Sequence, residues 1–206
     1  FVETWYDQSG NGNDATQATA GQQPAIVKNG GIVTENNKNA IDFDASSSQF
    51  FLISKAFANS SGADASIFTV TKNVPEVSSA AHPIVSSRSG SLNGYQVGYT
   101  GVDLFELVVF ANTVNAARDT QASNTQMIGS AIKDGLNLKV FIDGDEIADR
   151  TATTYTASTD FTRIGGNENA DVYMEGTMQE IIIFESDKTS DRTAIETEIN
   201  NHYNIY

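Results

Sequence analysis

Three groups of residues have the types and spacing to do chemistry. The first is the run Asp7-Gln8-Ser9-Gly10-Asn11-Gly12-Asn13-Asp14, which follows the only tryptophan, Trp5. Asp7, Asn11, Asn13 and Asp14 offer oxygen ligands of the kind Ca²⁺ takes, so one reading is a calcium site. The other is a loop bonded to itself and anchored by Trp5. Gly10 and Gly12 allow positive φ, and short Asp, Ser and Asn side chains bond neighbouring amides. The second group is a pair of strand carboxylates. Glu106 shares a face with Leu104, Val108 and Phe110, and Glu180 with Met178, Ile182 and Phe184. Apolar neighbours raise a carboxyl pKa, as a general acid requires. A glycosidase sets two such groups about 5–5.5 Å apart when retaining, or about 6.5–9.5 Å when inverting. The plainer reading puts each where a sheet edge or concave face meets water, or where it accepts bonds from a loop. The third group could hold a sugar without reacting with it. Tyr95 and Tyr99 share one strand face and could stack on a sugar ring, while Asn167 and Asn169 could bond its hydroxyls. Against this stand an aromatic core and a solvated turn. Tyr155 and Tyr173 lie near loops.

Other chemistries are excluded or unsupported. With no cysteine, the chain has no disulfide, no thiol nucleophile and no Cys-based zinc site. His82 and His202 are far apart, no G-x-S-x-G surrounds a serine, and the jelly-roll glucanase pattern E-x-D-x-x-E is absent. The formal net charge of −14 disfavours nucleic acid and anionic lipid as partners. Neutral sugars and cations fit that charge. No run of about 20 apolar residues is present, so no membrane insertion is expected.

The elements that must position these residues read as strands. Residues 65–72, 95–99, 103–111, 125–133, 136–142 and 176–185 combine β-branched and aromatic residues with alternation. Asp143-Gly144 marks a hairpin turn. Residues 176–185 are the most apolar and are expected at the centre of a sheet. Ile195, Ile199 and Tyr203, spaced four apart after Thr189, Ser190 and Asp191, predict a capped closing helix against the sheet edges. About a dozen short strands followed by one helix indicate a single all-β domain over residues 1–206. Its expected architecture is an antiparallel β-sandwich with one C-terminal α-helix.

Several segments carry a resemblance. Phe43-Asp44 to Phe50, SIFTVTK (66–72), LKVFIDGDEI (138–147), Ile164-Gly165-Gly166, GTMQEIIIF (176–184) and the closing DRTAIETEINNHY (191–203) follow one another in order. Together they resemble the laminin G-like, concanavalin A-like jelly-roll superfamily. The opening WYDQSGNGND (5–14) is similar to a motif of jelly-roll α-L-arabinofuranosidases, and of phage tail and marine bacterial surface proteins. The arabinofuranosidases carry an adjacent cysteine pair that this chain lacks. The resemblance implies a non-catalytic carbohydrate-binding or adhesion module of a larger exported or viral surface protein. Such a module works outside the cell, at a cell surface or on a virion, on a glycan or surface partner. Two alternatives stay open: a glycoside hydrolase using Glu106 and Glu180, and a purely structural spacer.

Overall fold

Period-two alternation of β-branched and aromatic residues makes strands, because alternate side chains leave opposite faces of a pleated chain. The computed structural model describes residues 1–58, 60, 62–73, 81–89, 93–100, 104–111, 113–120, 124–167 and 172–206; for residues 73, 89, 111 and 113–120 it describes the backbone. In chain order the strands are β1 (Thr4–Trp5), β2 (Ala15–Thr16), β3 (Val27–Lys28), β4 (Gly31–Ile32), β5 (Thr34–Glu35), β6 (Lys38–Asn39), β7 (Ile41–Phe43), β8 (Phe51–Ile53) and β9 (Ala65–Asn73). They continue as β10 (His82–Ser89), β11 (Asn93–Tyr99), β12 (Leu104–Ala111), β13 (Thr113–Thr120), β14 (Gln126–Asp134), β15 (Asn137–Ile142), β16 (Asp145–Thr151), β17 (Thr162–Ile164) and β18 (Gly176–Phe184). Helix α1 (Arg192–Tyr203) follows.

An eight-stranded sheet, β1-β2-β8-β17-β10-β11-β12-β13, faces a six-stranded sheet, β16-β15-β14-β9-β18-β7. Neighbouring strands are antiparallel throughout. This is the antiparallel β-sandwich with a C-terminal helix that the strand pattern predicts. The core lies between the sheets. Val85, Val97 and Leu107 stand side by side on β10, β11 and β12, with Tyr95, Tyr99, Phe105 and Val109 beside them. They meet Ile67, Met127, Ala131, Leu138 and Val140 of the other sheet. Thr71 Oγ1 and Tyr99 OH, 2.8 Å apart, join the sheets inside this apolar space.

Three expectations change. Strand β18 is next to the sheet edge, and β9 and β14 take the middle. Strand β13 was invisible because its sequence, TVNAARDT, is polar and lacks alternation. Helix α1 lies on the outer face of the six-stranded sheet, not along the edges. Ile199 and Tyr203 bury against Phe68, Val70 and Ile128 there. Its N-cap is Asp191, without a side-chain cap bond, while Thr189 bonds Asp187 instead. The helix is also held by a buried polar contact. Glu196 accepts from Ser130 Oγ at 2.7 Å and from Arg192, whose guanidinium lies 4.0 Å over Phe141.

Gly165 directly follows β17. Its φ is +79°, and a Cβ there would come within 2.6 Å of Phe43 Cδ1. Gly165→Ala should therefore cost about 1–3 kcal/mol from strained backbone and an overpacked core. Urea unfolding checks this; a loss below about 0.5 kcal/mol would mean that the Phe43 ring moves aside freely.

Candidate functional site

The 7–14 loop is bonded to itself. Asp7 Oδ1 accepts from the Ser9 N–H at 2.8 Å, and Oδ2 from the Asn13 N–H at 2.9 Å. Asp14 Oδ1 accepts from the Asp7 N–H at 2.8 Å, and Asn11 Nδ2 donates to Ser9 Oγ at 2.9 Å. Trp5 anchors the loop by packing on Phe51, ring centroids 6.1 Å apart. Bonds from Ser9, and then from Asn13, pull the Asp7 carboxyl down to about 2. A calcium ion would compete with these amides for the same oxygens. Among the described residues no group of three or more His, Cys, Asp or Glu side chains is arranged to hold a metal. The donor set fits a self-bonded loop better than a cation cage.

The two glutamates do not converge. On β12, Phe105, Leu107 and Val109 enter the core, so Glu106, Val108 and Phe110 face outward from the eight-stranded sheet. On β18, a register shift between Met178 and Glu180 breaks the alternation. Met178 enters the core, whereas Glu180, Ile182 and Phe184 face the helix side of the six-stranded sheet. The shared face of Met178 and Glu180 expected from the sequence is thus undone by one bulged residue. Glu106 and Glu180 stand on opposite outer surfaces. Packed sheets are about 10 Å apart, and both carboxylates lie beyond that thickness. No acid-and-nucleophile pair can form from them, because glycosidase carboxylates sit within about 9.5 Å.

Tyr95 and Tyr99 are 2% and 0% exposed, so their rings fill the core and offer no face to a sugar. Their strand parity with Val97, itself in the core, is the reason. Burial also pushes the Tyr95 hydroxyl pKa far up. Asn167 is buried and donates through Nδ2 to Gln96 Oε1. Asn169 lies outside the described residues. His82 is buried, with Nδ1 3.2 Å from the Tyr173 carbonyl, and His202 lies on α1.

The same parity that buries Tyr95 and Tyr99 builds a different surface. Ser86, Gln96 and Val108 stand in register on β10, β11 and β12, facing away from the core. Arg163 on β17 continues this row opposite Ser86, and Arg88 lies two residues along β10. At one end the Phe50 and Tyr173 rings are 6.2 Å apart and inclined by 31°. The Arg163 guanidinium lies 4.6 Å over Phe50, and that of Arg88 3.8 Å over Phe110. Burial lowers the pKa of Arg88, but an arginine stays protonated at neutral pH. Below the rings is a polar floor. Ser86 Oγ donates to the Gly166 carbonyl at 2.7 Å, and the Asn167 N–H to the Val172 carbonyl at 3.1 Å. The rings rest on Gly166, where a Cβ would lie 3.1 Å from Phe50 Cβ and 3.3 Å from Tyr173 Cδ1. Phe50, Tyr173, Arg88 and Arg163 are half-buried, while Ser86, Gln96 and Asn167 are buried. Partly exposed rings beside guanidinium and amide groups can stack on a flat ligand and bond its edge. Glu106 shares this face, opposite Gly98.

No family model and no curated protein matches the chain. Solved structures do, at low identity. The binding domain of Paraclostridial Mosquitocidal Protein 1 superposes with a TM-score of 0.70 at 11% identity, over 96% of this chain and 49% of that one. The chain thus spans about half the length of that neighbour. Domain 4 of an extracellular GH43 arabinanase from Geobacillus stearothermophilus, in complex with arabinotriose, gives 0.59 at 14% identity, over 84% and 79%. The CBM40 of a Ruminococcus gnavus IT-sialidase, bound to α2,3-sialyllactose, gives 0.56 at 11%, over 77% and 96%. The shared property is the fold.

Asp7 yields a titration test. Its folded pKa lies below the ordinary carboxylate value, so the loop's stabilisation is present above about pH 4 and lost as pH falls through about 2. NMR titration should give an Asp7 midpoint near 2, and Ca²⁺ should leave the melting temperature unchanged. A midpoint near 4, or a calcium-dependent rise in melting temperature, would overturn the self-bonded loop.

Proposed function

We propose that the chain is a non-catalytic carbohydrate-binding module that works through the outer face of its eight-stranded sheet. The observation that carries this reading is the cluster of Phe50, Tyr173 and Arg163 above the Ser86, Gln96 and Asn167 floor. Half-exposed aromatic faces stack on the apolar side of a sugar ring, and fixed polar groups select its hydroxyls. The complexes of fold neighbours with arabinotriose and sialyllactose support it. The separation of Glu106 from Glu180 speaks against the hydrolase alternative. The same reading makes the chain an extracellular or surface module of a larger polypeptide, with an adhesive or receptor-recognition role. Among the described residues no helix is long and apolar enough to cross a membrane.

Titration calorimetry against arabino-, gluco- and sialyl-oligosaccharides tests the proposal. At least one should bind, and Phe50→Ala and Tyr173→Ala should each weaken it by about tenfold or more, as loss of a stacking face does. Thermal melts of both variants verify that they fold. Absence of binding to every sugar, or wild-type affinity in both variants, would sink the idea.

A further inference from the structure

A sheet edge leaves backbone N–H and C=O groups without a ladder partner, and natural edges are guarded by charge, by short length or by a covering segment. The edges of this sandwich are guarded unequally. Strand β1 is two residues long, and β13 is polar. Strand β16 carries Asp145, Glu146, Asp149 and Arg150. Strand β18 differs. It pairs with β9 along Gly176–Phe184, but β7 covers its other side only along Gly176–Met178. Next to the covered part, Gln179 Nε2 donates to the carbonyls of Glu35, Lys38 and Asn39 of the β5–β6 hairpin. Residues 180–184, Glu-Ile-Ile-Ile-Phe, then run on with no strand on that side among the described residues. All five are half-buried, whereas residues 127–133 of the central strand β14 are buried.

The open stretch faces a wall. A groove of about 550 Å³ is lined by Glu180, Ile182 and Phe184 on the strand and by Ile195, Glu198 and His202 on α1. The helix residues are spaced three and four apart and form one stripe. Asn36 Nδ2 donates to the Asn204 carbonyl at 2.8 Å, so the same hairpin bounds the groove at the end of α1. An extended segment laid along 180–184 would take up the unpaired backbone groups and set alternate side chains over the groove. Opposite Ile182 and Phe184 those side chains meet apolar surface. Opposite Glu180, with Glu198 on the facing wall, they meet negative charge. Among the described residues neither carboxylate has an ion-pair partner. Two copies of a chain carrying −14 repel each other, which disfavours a second copy at this edge.

We propose that the 180–184 edge of β18 docks an extended segment of another protein. The segment adds one antiparallel strand, with apolar side chains opposite Ile182 and Phe184 and a lysine or arginine opposite Glu180. This site lies on the other sheet from the glycan face and does not depend on it.

The probe is the blocked heptapeptide TVTVTKT, titrated into the full 206-residue chain and followed by amide NMR. Shifts should centre on residues 180–184 and on the 195–202 stripe of α1. The peptide with glutamate in place of lysine should bind about fivefold more weakly, the scale of exchanging an opposite-charge cross-strand pair for a like-charge one. Methylation of alternate peptide amides separates strand pairing from simple charge attraction. Methyl groups on the set facing β18 should abolish binding, and on the other set should leave it. Glu180→Lys should reverse the preference and favour the glutamate peptide. Glu198→Lys, at an exposed position, should narrow it, and thermal melts verify that both variants fold. No shifts along 180–184, or equal loss from both methylated sets, would overturn strand addition. Equal affinity for the lysine and glutamate peptides would overturn the basic partner. A dimer of the free chain in sedimentation, dissociated by the peptide, would assign the edge to a second copy instead.

Discussion

The inward row Val85, Val97 and Leu107 dictates what the opposite side of the eight-stranded sheet can be. Each of these side chains is almost wholly removed from water, worth about 1.5–3 kcal/mol apiece. A one-residue slip of β11 would trade Tyr95, Val97 and Tyr99 for Gln96 and Gly98 in the core. That exchange is prohibitive, so the register is held. Once it is held, Ser86, Gln96 and Arg163 have no choice but to line the outer face. Two local devices let β10 and β11 meet this demand. A register shift at Pro83 to Val85 realigns the strands, and Gly94 takes φ +95°, where a Cβ would strike the Ser87 carbonyl.

The outer surfaces of the two sheets then diverge in character. On the six-stranded sheet, Phe68, Val70 and Ile128 are apolar, and α1 covers them. Its hold is reinforced by Glu196, buried yet satisfied by Ser130 and Arg192. On the eight-stranded sheet the outward residues combine hydroxyls, amides and arginines stacked on aromatic rings with the apolar Val108 and Phe110 and the carboxyl of Glu106. A polar face with rings at its margin suits a ligand that is itself part apolar and part hydroxylated. Of the fold neighbours, one 14% identical to this chain is in complex with arabinotriose and one 11% identical is bound to sialyllactose. Among those neighbours, then, the shared fold does not fix the ligand.

Much of the fold was legible because strand formation is a local matter. SIFTVTK and GTMQEIIIF are rich in β-branched and aromatic residues and form strands where expected, and LKVFIDGDEI forms the expected hairpin about Asp143-Gly144. The 7–14 loop was also legible, since Asp, Ser and Asn bond amides within a few residues of themselves. The site was much less so. Tyr95 and Tyr99 looked like a platform because sequence gives their common face but not its direction. Glu180 looked aligned with Met178 because a bulge leaves no mark in alternation. Phe50, Tyr173 and Arg163 come from three separate segments and have no shared spacing to detect.

By itself, then, the sequence determined that the chain is a β-sandwich closed by a helix, that it has no thiol chemistry, and that its surface is strongly acidic. Those properties follow from composition and from contacts between near neighbours. Only the tertiary structure decided which face of each strand meets the other sheet. That choice separates Glu106 from Glu180, hides Tyr95 and Tyr99, and gathers Phe50, Tyr173, Arg88 and Arg163 on one surface. The physical reason is that burial is a property of the whole packed pair of sheets. No strand can tell from its own residues which of its two faces the partner sheet will cover.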